Sequence, residues 1–535
     1  MTKDGKQAKI AYFCMEFGLD ESFKIYSGGL GILAGDILKG AKDIEYPLVG
    51  VGILWRQGYT TQLIADNGKP MDCFYEYSYD FLEDTGVSVC VEVRGRPINC
   101  KVWKCTEFGN APLYLLDANL SENSDRLITG QLYGWFSEER IAQEMILGIG
   151  GVRALAALGI DVDIYHFNDS HPVFAGFELI RRNMAESGLS FNDSWEAARQ
   201  QIVFTTHTPV DAGNEVHRHE LLKYMGAYRD FTYEEMVSVG GDPFSMTVAG
   251  LRLSKKANAV SKLHCKTANK MWKHIEGAAK IINITNGVHL PTWQDARIRE
   301  AFERNNKLLE VHNKVKQEMI DEIYILSGVK LNVDVLTIGF ARRAAPYKRS
   351  DLIFRNKEII EPLLKERKLQ IIFSGKAHPN DLSGKEIVAN LYRISREYPE
   401  SVVFLQNYDI KIGKMLTRGC DVWLNNPIRP MEASGTSGMK AAMNGVLNLS
   451  VMDGWWPEGC IHGKNGWQIG DGYYGDNCDK VDSKSLYKVL TEQVIPTYYC
   501  DKDKWEKMMT NSIKSSYKRF SVERMLRDYK NKLWN

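Results

Sequence analysis

The chain has 535 residues and nearly equal numbers of basic and acidic side chains, 68 against 67, so its net charge at pH 7 is +1. This length predicts roughly two to four domains, each large enough to bury its own core. A hydrophobic share of 44% and a charged share of 25% are typical of globular proteins and exclude a disordered chain. The balanced charge also argues against a dedicated nucleic-acid-binding protein, which normally carries a basic surplus.

The N-terminus and the apolar segments indicate a cytoplasmic protein. The first seven residues are polar and charged, with no apolar run before a cleavage site, so we expect no secretory signal. No run of 18 apolar residues occurs, so we expect no membrane span. The 10 cysteines are scattered without a Cys-x-x-Cys pair, which favours reduced thiols in the cytoplasm.

The first part of the chain alternates between short apolar runs and helical patterns. Helices are predicted at Glu138–Gly159, where apolar residues recur every three or four positions, and at Val173–Arg182. The apolar runs predict strands at Lys9–Glu16, Pro47–Leu54, Pro112–Asp117, Asp163–Asn168, Gln201–Thr206 and Lys280–Thr285. Several of these strands end in polar residues, at the carboxyl end where open α/β sheets bind ligands.

A charged helical stretch at Gln294–Leu326 precedes a second alternating series, with a helix predicted at Tyr347–Lys365. Its strands are predicted at Val333–Ala341, Leu369–Ser374, Ser401–Gln406, Asp421–Asn425 and Val446–Val451. Such alternation predicts parallel sheets joined by right-handed crossovers. We therefore predict an α/β fold with two doubly wound domains, residues 1–330 and 331–511, that face a central cleft. The basic, amphipathic tail, residues 512–535, is predicted to form a helix that packs back across both domains.

The first candidate site is the glycine-rich segment from Tyr26 to Gly35. Gly29, Gly31 and Ala34 match the permissive G-x-G-x-x-A form of the dinucleotide fingerprint, but a loop replaces the strand that should precede it. The start of a helix here would expose backbone N–H groups that attract anions. A phosphate or sugar contact and a plain tight turn both remain open.

The second candidate is the basic cluster of Arg342, Arg343 and Lys348, which follows a strand predicted to be buried. Clustered positive charge at the carboxyl end of a strand would be satisfied by a polyanion such as phosphate. A salt-bridge cluster at a domain interface is the alternative.

The third candidate is the small-residue segment Ser434–Gly438, which runs into a helix that carries Lys440. Backbone N–H groups there could hold a phosphate beside the lysine, although the P-loop pattern is not met. A lysine can also anchor a Schiff base, and an ordinary solvent-facing lysine is the alternative. No metal is expected, because the histidines lack the His-Glu-x-x-His spacing.

Together these segments resemble the α-glucan phosphorylase family, which acts on glycogen, starch or maltodextrin. Glu432–Lys440, followed by Met443-Asn444, is similar to the pyridoxal-phosphate signature of that family. The resemblance covers most of the chain in the expected order, through Tyr26–Gly31, Asn168–His171, His207-Thr208, Thr285–Gly287, Arg342–Arg349 and Asp453-Gly454. It implies a GT-B-type architecture, with two Rossmann-like domains and the active site between them.

The resemblance also implies roles for individual residues. Lys440 would carry pyridoxal 5'-phosphate as a Schiff base. The implied catalytic positions are Lys440, Arg343, Lys348 and His207. The implied cofactor positions are Lys440, Arg342, Gly435, Thr436 and Gly29. The implied substrate positions are Gly29, Leu30, Asp169, His171, His207, Asn286, Tyr347, Glu432, Ser434 and Gly435.

The reaction implied by the resemblance is reversible phosphorolysis of a terminal α-1,4-glucosidic bond, giving α-glucose 1-phosphate with retention. Phosphate has a second pKa of about 6, so it can both give and take a proton. Two adjacent phosphates would repel each other, which explains the need for Arg342, Arg343 and Lys348. The expected partners are an α-1,4-glucan, inorganic phosphate, glucose 1-phosphate and a second copy of the chain, with no nucleic acid and no membrane.

Two departures limit what the resemblance implies. The chain is shorter than the large animal and plant members, and it is expected to lack the N-terminal segment that regulates some of them. Arg342 stands where the longer branch carries a lysine. The resemblance therefore does not extend to allosteric control or to the preferred glucan length.

Two other functions remain as alternatives. A nucleotide-sugar transferase of the same architecture, such as a glycogen or starch synthase, would use the same cleft but needs no Schiff-base lysine, so Met439-Lys440 argues against it. A non-catalytic glucan-binding protein would be favoured by loss of Lys440, Arg343 or Lys348, and all three are present.

Overall fold

The computed structural model describes residues 9–134, 136–210 and 214–535. By the contacts among its residues the chain forms two compact units. The first contains the residues up to Tyr59, Phe74–Thr285 and Met525–Asn535, and the second contains Thr60–Cys73 and Asn286–Arg524. The second unit thus begins before the predicted boundary at residue 330, because the helices that precede this boundary contribute Ile298 and Val315 to the apolar core of the second sheet.

Within the described residues, the first unit is built on a nine-stranded sheet. From one edge to the other its strands are Ile281–Asn283, Lys256–Ala259, Ile202–Thr206, Ile164–Asn168, Ile10–Phe13, Leu48–Ile53, Leu113–Asp117, Arg96–Cys105 and Glu83–Val93. Neighbouring strands are parallel up to Leu113–Asp117, and the last two strands pair antiparallel. These last two strands, Arg96–Cys105 and Glu83–Val93, were not predicted from the sequence. Most residues of Glu83–Val93 alternate between the two faces of the sheet and form no continuous apolar run.

The helices of the first unit follow the strands in sequence. They are Gly29–Asp43, Ser137–Met145, Gly151–Ala157, Val173–Ser187, Phe191–Arg199, His219–Met225, Tyr233–Gly240, Met246–Leu253 and Lys262–Trp272. A π-helical turn at Ile146–Gly150 joins the second and third of these, so the helix predicted at Glu138–Gly159 is present with an internal irregularity.

The second unit is built on a six-stranded parallel sheet. From one edge to the other its strands are Val402–Leu405, Gln370–Ser374, Thr337–Ala341, Val422–Asn425, Leu447–Val451 and Gly466–Ile469. A separate hairpin, Thr61–Ile64 with Pro70–Cys73, joins this unit although its sequence lies inside the first. Oδ2 of its Asp72 lies 2.6 Å from Nζ of Lys385.

In chain order, the helices of the second unit precede the first strand of the six-stranded sheet, alternate with its strands and follow the last one. They are Leu290–Trp293, Ala296–Glu303, Leu308–Ser327, Lys357–Lys365, Leu382–Glu397, Ile410–Gly419, Ser437–Met443, Trp456–Gly459, Cys478–Val489, Ile495–Cys500 and Lys502–Ser516. The prediction of one helix over Tyr347–Lys365 is wrong. Two short 3₁₀ turns, Pro346–Lys348 and Leu352–Phe354, occupy its first half, because Arg349 has a left-handed backbone with φ of +49°.

Polar residues begin many of these helices. Several of these residues accept a hydrogen bond from the backbone N–H three positions later, among them Ser190, Thr232, Ser245, Ser261, Asp381, Asp409 and Asp501. Such caps satisfy one of the N–H groups that the first turn of a helix leaves without an acceptor.

The C-terminal tail is divided between the two units. Helix Lys502–Ser516 belongs to the second unit, whereas residues from Met525 onward belong to the first, so the single helix predicted for residues 512–535 is wrong. In the first unit the indole Nε1 of Trp534 donates to His166 Nδ1 at 3.1 Å. The tail is thus held by a buried hydrogen bond and by a tilted ring contact between Trp534 and Tyr46, whose ring centres lie 5.2 Å apart.

The prediction of an α/β fold with parallel sheets is confirmed. None of the helices in the described ranges has the length and apolar character needed to cross a membrane.

A buried ion pair lies between helix Leu308–Ser327 and the sheet of the second unit. Lys316 is 0% exposed, and its Nζ lies 2.6 Å from Asp421 Oδ2 and 2.7 Å from the carbonyl oxygen of Val335. His312 Nε2 lies 3.2 Å from the other oxygen of Asp421. Burial alone would raise the pKa of Asp421, but the charge of Lys316 and the contact with His312 outweigh it and lower the pKa.

Replacing Lys316 with methionine is expected to lower the free energy of unfolding by about 3–5 kcal/mol, because Asp421 would remain buried without its cation. Urea unfolding measures this loss. Lys314→Met on the same helix, where the lysine is exposed and pairs with Glu310 at 3.2 Å, should leave the unfolding midpoint near that of the wild type. Equal effects of the two variants would contradict this prediction.

The same pair predicts the direction of a pH effect. Because the pKa of Asp421 is lowered on folding, the unfolded state binds more protons near the ordinary value of 3.8. This contribution to stability is therefore present above that pH and is lost as the pH falls through the folded pKa.

Candidate active site

Polar residues at the ends of two adjacent parallel strands form a hydrogen-bonded group in the first unit. Asn168 pairs with Thr205 in the sheet, and the N–H of Asp169 donates to the carbonyl of Thr205 at 2.9 Å. Just beyond, His207 Nε2 lies 2.6 Å from Asn168 Oδ1. Because an amide oxygen only accepts hydrogen bonds, His207 carries its proton on Nε2.

Burial sets the protonation state of the histidines and the aspartate at and just after these strand ends, which are His171, His207 and Asp169. It lowers the pKa of both His171 and His207 to about 3, with Arg140 lowering that of His171 further, so both imidazoles are neutral at pH 7. Burial also raises the pKa of Asp169 to about 6. The group therefore offers neutral imidazoles, which can both donate and accept hydrogen bonds, beside one carboxylate.

A charged cluster lies beside His171. Arg140 Nε and Nη2 donate to the two oxygens of Glu215 at 2.6 and 3.1 Å, and His171 Nε2 lies 4.0 Å from Glu215. Glu144 is fully buried and 3.0 Å from His217. Burial and the charge of Glu215 raise the pKa of Glu144, whereas Arg140 keeps Glu215 ionised despite its burial.

The glycine-rich segment is braced by Glu16, a residue 2% exposed. Its carboxylate accepts hydrogen bonds from the N–H of Ser27 at 2.6 Å, from the N–H of Gly28 at 3.0 Å and from the hydroxyl of Tyr133 at 2.7 Å. A Cβ on Gly31 would lie 2.7 Å from Glu16 Oε2, so only glycine permits this approach. Helix Gly29–Asp43 begins directly after this turn, as the sequence predicts.

In the second unit, two cations of the predicted basic cluster converge on one carboxylate. Arg342 Nη2 donates to Glu432 Oε2 at 2.7 Å, and Lys348 Nζ donates to the same oxygen. All three side chains are at most 13% exposed. Burial would raise the pKa of Glu432, but the charges of Arg342 and Lys348 lower it to about 2, so this carboxylate is ionised at neutral pH.

A second acidic residue, Asp453, contacts the backbone of Glu432. The backbone N–H of Glu432 donates to Asp453 Oδ2 at 2.9 Å, and the N–H of Gly454 donates to Asp453 Oδ1 at 2.8 Å. Burial, reinforced by the charge of Glu432, raises the pKa of Asp453 to about 7. Gly454 has φ of +57°, and a Cβ there would lie 2.3 Å from the carbonyl oxygen of Ser434, so the loop that carries Ser434 requires glycine at this position.

Lys440 is 7% exposed and lies on helix Ser437–Met443. Its Nζ stands 3.5 Å from the centre of the Trp293 ring, at cation–π distance. Asn444 fixes this arrangement, because its amide nitrogen donates both to the carbonyl of Trp293 at 3.0 Å and to that of Lys440 at 2.9 Å. The interpretation of Lys440 as an ordinary solvent-facing lysine is therefore wrong.

Several buried polar atoms of the predicted site have no hydrogen-bond partner among the described residues. They are Nε and Nη1 of Arg342, Oγ of Ser434, Oδ1 of Asn286 and Nδ1 of His171. A buried polar group without a partner costs about 1–3 kcal/mol, so such atoms mark places where a ligand gains hydrogen bonds. Arg343, by contrast, is exposed.

The predicted site residues thus fall into two groups, each within one unit. Those of the first unit are Gly29, Leu30, Asp169, His171 and His207. Those of the second are Asn286, Arg342, Arg343, Tyr347, Lys348, Glu432, Ser434, Gly435, Thr436 and Lys440.

Comparison with known proteins identifies the family. Residues 296–456 match the family model described as carbohydrate phosphorylase. The chain is 40% identical to maltodextrin phosphorylase of Thermococcus litoralis, over 98% of this chain and 70% of that protein. The chain belongs to the carbohydrate phosphorylase family. It is also 35% identical to glycogen phosphorylase of Aquifex aeolicus, over 100% and 87% of the two chains, and 34% identical to that of Mycobacterium tuberculosis, over 97% and 70%.

The family predicted from the motifs is therefore confirmed, while the roles of the site residues stay predictions. Sequence reasoning missed two residues that contact the predicted site segments of this phosphorylase: Glu16 and Trp293. Glu16 has a signal in the sequence, as an acid at the end of an apolar run. Trp293 has none, since its contact with Lys440 joins positions far apart in the chain.

Proposed function

We propose that this protein is an α-1,4-glucan phosphorylase, which transfers the terminal glucosyl unit of an α-1,4-glucan to inorganic phosphate and releases α-glucose 1-phosphate with retention. The observation that carries this proposal is the convergence of Arg342 and Lys348 on Glu432, in one unit with the buried Lys440. The names of the relatives, maltodextrin phosphorylase and glycogen phosphorylase, support the substrate class.

The second unit fits pyridoxal 5'-phosphate as the cofactor. Arg342 has two buried N–H donors without acceptors among the described residues, as a phosphate group would require, and Lys440 supplies a buried amine. We assign the cofactor to Lys440, Arg342, Gly435 and Thr436, with Gly29 donating from its backbone. When bound, this cofactor supplies a phosphate group that exchanges a proton with the substrate phosphate.

Arg343 and Lys348 are assigned to the substrate phosphate. A unit charge 4 Å from an anion contributes about 4 kcal/mol at an effective dielectric constant of 20. Two adjacent phosphates would otherwise repel each other by a similar amount. These side chains therefore lower the energy of the dianionic arrangement that phosphorolysis requires.

The sugar is assigned to groups that accept and donate hydrogen bonds. Glu432 is ionised and so accepts from glucose hydroxyls, whereas His207 is neutral, donates from Nε2 to Asn168 and can accept a hydrogen bond through Nδ1. The remaining proposed sugar contacts are Gly29, Leu30, Asp169, His171, Asn286, Tyr347, Ser434 and Gly435.

With inorganic phosphate as the acceptor of the glucosyl unit, each bond that breaks is matched by a bond that forms. The bond between C1 and the glycosidic oxygen breaks, the departing oxygen takes a proton from the substrate phosphate, and a phosphate oxygen forms the new bond to C1 from the same face. The chain contributes positive charge, through Arg343 and Lys348, where the phosphate gains negative charge.

The test is to incubate the purified protein, loaded with pyridoxal phosphate, with maltoheptaose and inorganic phosphate and to measure glucose 1-phosphate. We expect its formation to depend on phosphate and to reverse when glucose 1-phosphate is supplied. Glucan extension from UDP-glucose or ADP-glucose, with no phosphorolysis, would instead identify a nucleotide-sugar transferase. Glucan binding without either reaction would identify a binding protein.

Glu16→Gln is expected to raise the KM for glucose 1-phosphate about tenfold, because loss of the carboxylate charge weakens the hydrogen bonds that Oε2 accepts from the N–H groups of Ser27 and Gly28 and loosens the turn before Gly29. Initial rates in the synthetic direction measure this change. Glu45→Gln, at an exposed residue after the same helix, is the matched control and should leave KM unchanged. An unchanged KM in Glu16→Gln would show that the turn plays no part in binding.

A further inference from the structure

Arg349 is a buried cation that the predicted site does not use. It is 3% exposed, although it follows directly after Lys348 in the chain. A guanidinium is almost never buried unless its donors are all engaged. Its partners therefore indicate what it holds in place.

The guanidinium of Arg349 links two loops of the second unit. Its Nε donates to the carbonyl of Asn426 at 2.7 Å, and its Nη2 donates to the carbonyl of Pro427 at 2.7 Å. In return the amide nitrogen of Asn426 donates to the carbonyl of Arg349 at 2.5 Å. A further backbone bond, from Ile428 N–H to the carbonyl of Tyr347 at 2.8 Å, joins the same two segments.

The other end of the guanidinium is fixed by two acids of helix Cys478–Val489. Arg349 Nη2 lies 2.6 Å from Asp482 Oδ2, and Nη1 lies 3.0 Å from Asp479 Oδ1. The planar fork of an arginine can serve several acceptors at fixed angles, which a lysine ammonium cannot do. Arg349 is thus held on three sides.

The two loops that Arg349 joins carry the charged pair of the proposed site. The 3₁₀ turn Pro346–Lys348 carries Lys348, and the segment after Pro427 leads to Glu432, which accepts a hydrogen bond from Lys348. Because the backbone of Arg349 is left-handed, its side chain leaves the turn in a different direction from that of Lys348. Arg349 can therefore anchor the turn, while Lys348, the residue before it, faces an anion.

We propose that Arg349 is a positioning residue for phosphate binding: it fixes the turn that carries Lys348 against the loop that carries Glu432, and so sets where the Lys348 ammonium meets the substrate phosphate. This inference rests on the proposed function and adds to it a residue that touches neither substrate. Loss of this brace displaces Lys348, and a displacement of about 1 Å at a binding group can reduce activity as much as a hundredfold.

The experiment compares Arg349→Lys with the wild type in the full-length holoenzyme. Initial rates of phosphorolysis give the KM for phosphate and the KM for maltoheptaose separately. We expect the KM for phosphate to rise about tenfold and the KM for the glucan to change less than about threefold, because a long glucan is also bound through units remote from this turn. A second readout, the rise in Tm with added phosphate, needs no catalysis. The variant should require about ten times more phosphate for the same rise.

Arg355→Lys is the matched control. Arg355 also bonds Asp479, but it contacts neither of the two loops among its described hydrogen bonds and ion pairs. We expect its KM for phosphate to stay within about twofold of the wild type. An increase equal to that of Arg349→Lys would place the effect in helix Cys478–Val489 and would overturn the proposal.

A lower Tm in Arg349→Lys with an unchanged KM for phosphate would show that Arg349 only stabilises the fold, and would also overturn the proposal. If Arg349→Lys does not fold, Asp482→Asn provides the test, because it leaves both carbonyl contacts of Arg349 intact. We expect a KM for phosphate about threefold higher, and no change would refute the inference.

A wild type that forms no glucose 1-phosphate contradicts the proposed function alone, since phosphate-dependent stabilisation still compares the variants. A wild type that forms no glucose 1-phosphate and is not stabilised by phosphate contradicts both.

Discussion

Replacing Lys440 with alanine is expected to remove bound pyridoxal phosphate and to lower kcat on the order of 10⁴-fold, because the chemical step depends on the cofactor in the proposed mechanism. The lysine is 7% exposed and its amine lies over the Trp293 ring, so its side chain is oriented within the unit and not extended into solvent. Cofactor absorbance per chain and the rate of glucose 1-phosphate formation measure the two effects. Borohydride treatment of the wild type, followed by mass analysis of the Lys440 peptide, locates the attachment.

Lys484→Ala provides the control for this prediction, because Lys484 is an exposed helical lysine of the same unit. It should retain both cofactor and activity. An active Lys440→Ala protein without cofactor would contradict the proposed mechanism. A colourless wild type that gains no adduct after addition of the cofactor would favour a nucleotide-sugar transferase or a binding protein.

Arg343→Ala is expected to lower kcat/KM for phosphate about 10²-fold while leaving Tm near that of the wild type. The activity falls because the variant removes a charge assigned to the substrate phosphate. The fold is spared because Arg343 is exposed, unlike its buried neighbour Arg342. Phosphorolysis rates over a range of phosphate concentrations, together with thermal unfolding, separate the two effects.

Arg396→Ala is the matched control, since it removes an exposed arginine at the end of helix Leu382–Glu397 of the same unit. It should leave the phosphate dependence unchanged. If Arg343→Ala uses phosphate as well as the wild type does, the assignment of Arg343 to the substrate phosphate is wrong. Lys348 would then be the remaining cation assigned to the substrate phosphate, and its role would need a separate test.

The sequence by itself determined the family and the α/β class, because both depend on local signals. Apolar runs separated by helical patterns indicate parallel strands wherever a strand is buried on both faces, as at Ile202–Thr206 and Gln370–Ser374. The segment Glu432–Lys440 is specific enough to identify the family from one chain, and the comparisons confirm it. Strands that alternate between faces, such as Glu83–Val93, escaped because their pattern is weaker.

The sequence could not determine contacts between residues far apart in the chain. Nothing near Lys440 indicates that Trp293 lies beneath its amine, and nothing near Lys348 indicates that Arg349 turns inward to Asn426. The left-handed backbone of Arg349 also broke the helix expected at Tyr347–Lys365, because helical propensity is a weak preference that tertiary hydrogen bonds override.

The protonation states of the acidic residues also depend on contacts that the sequence does not reveal. The sequence places acids at Glu432 and Asp453 but assigns both the ordinary pKa of an isolated carboxyl group. In the folded chain, Arg342 and Lys348 hold the pKa of Glu432 at about 2, while burial and the nearby charge of Glu432 raise that of Asp453 to about 7. The sequence therefore determined which chemical groups this protein carries, and the tertiary structure decided their charge and their partners, because both depend on burial and on distances of a few ångströms.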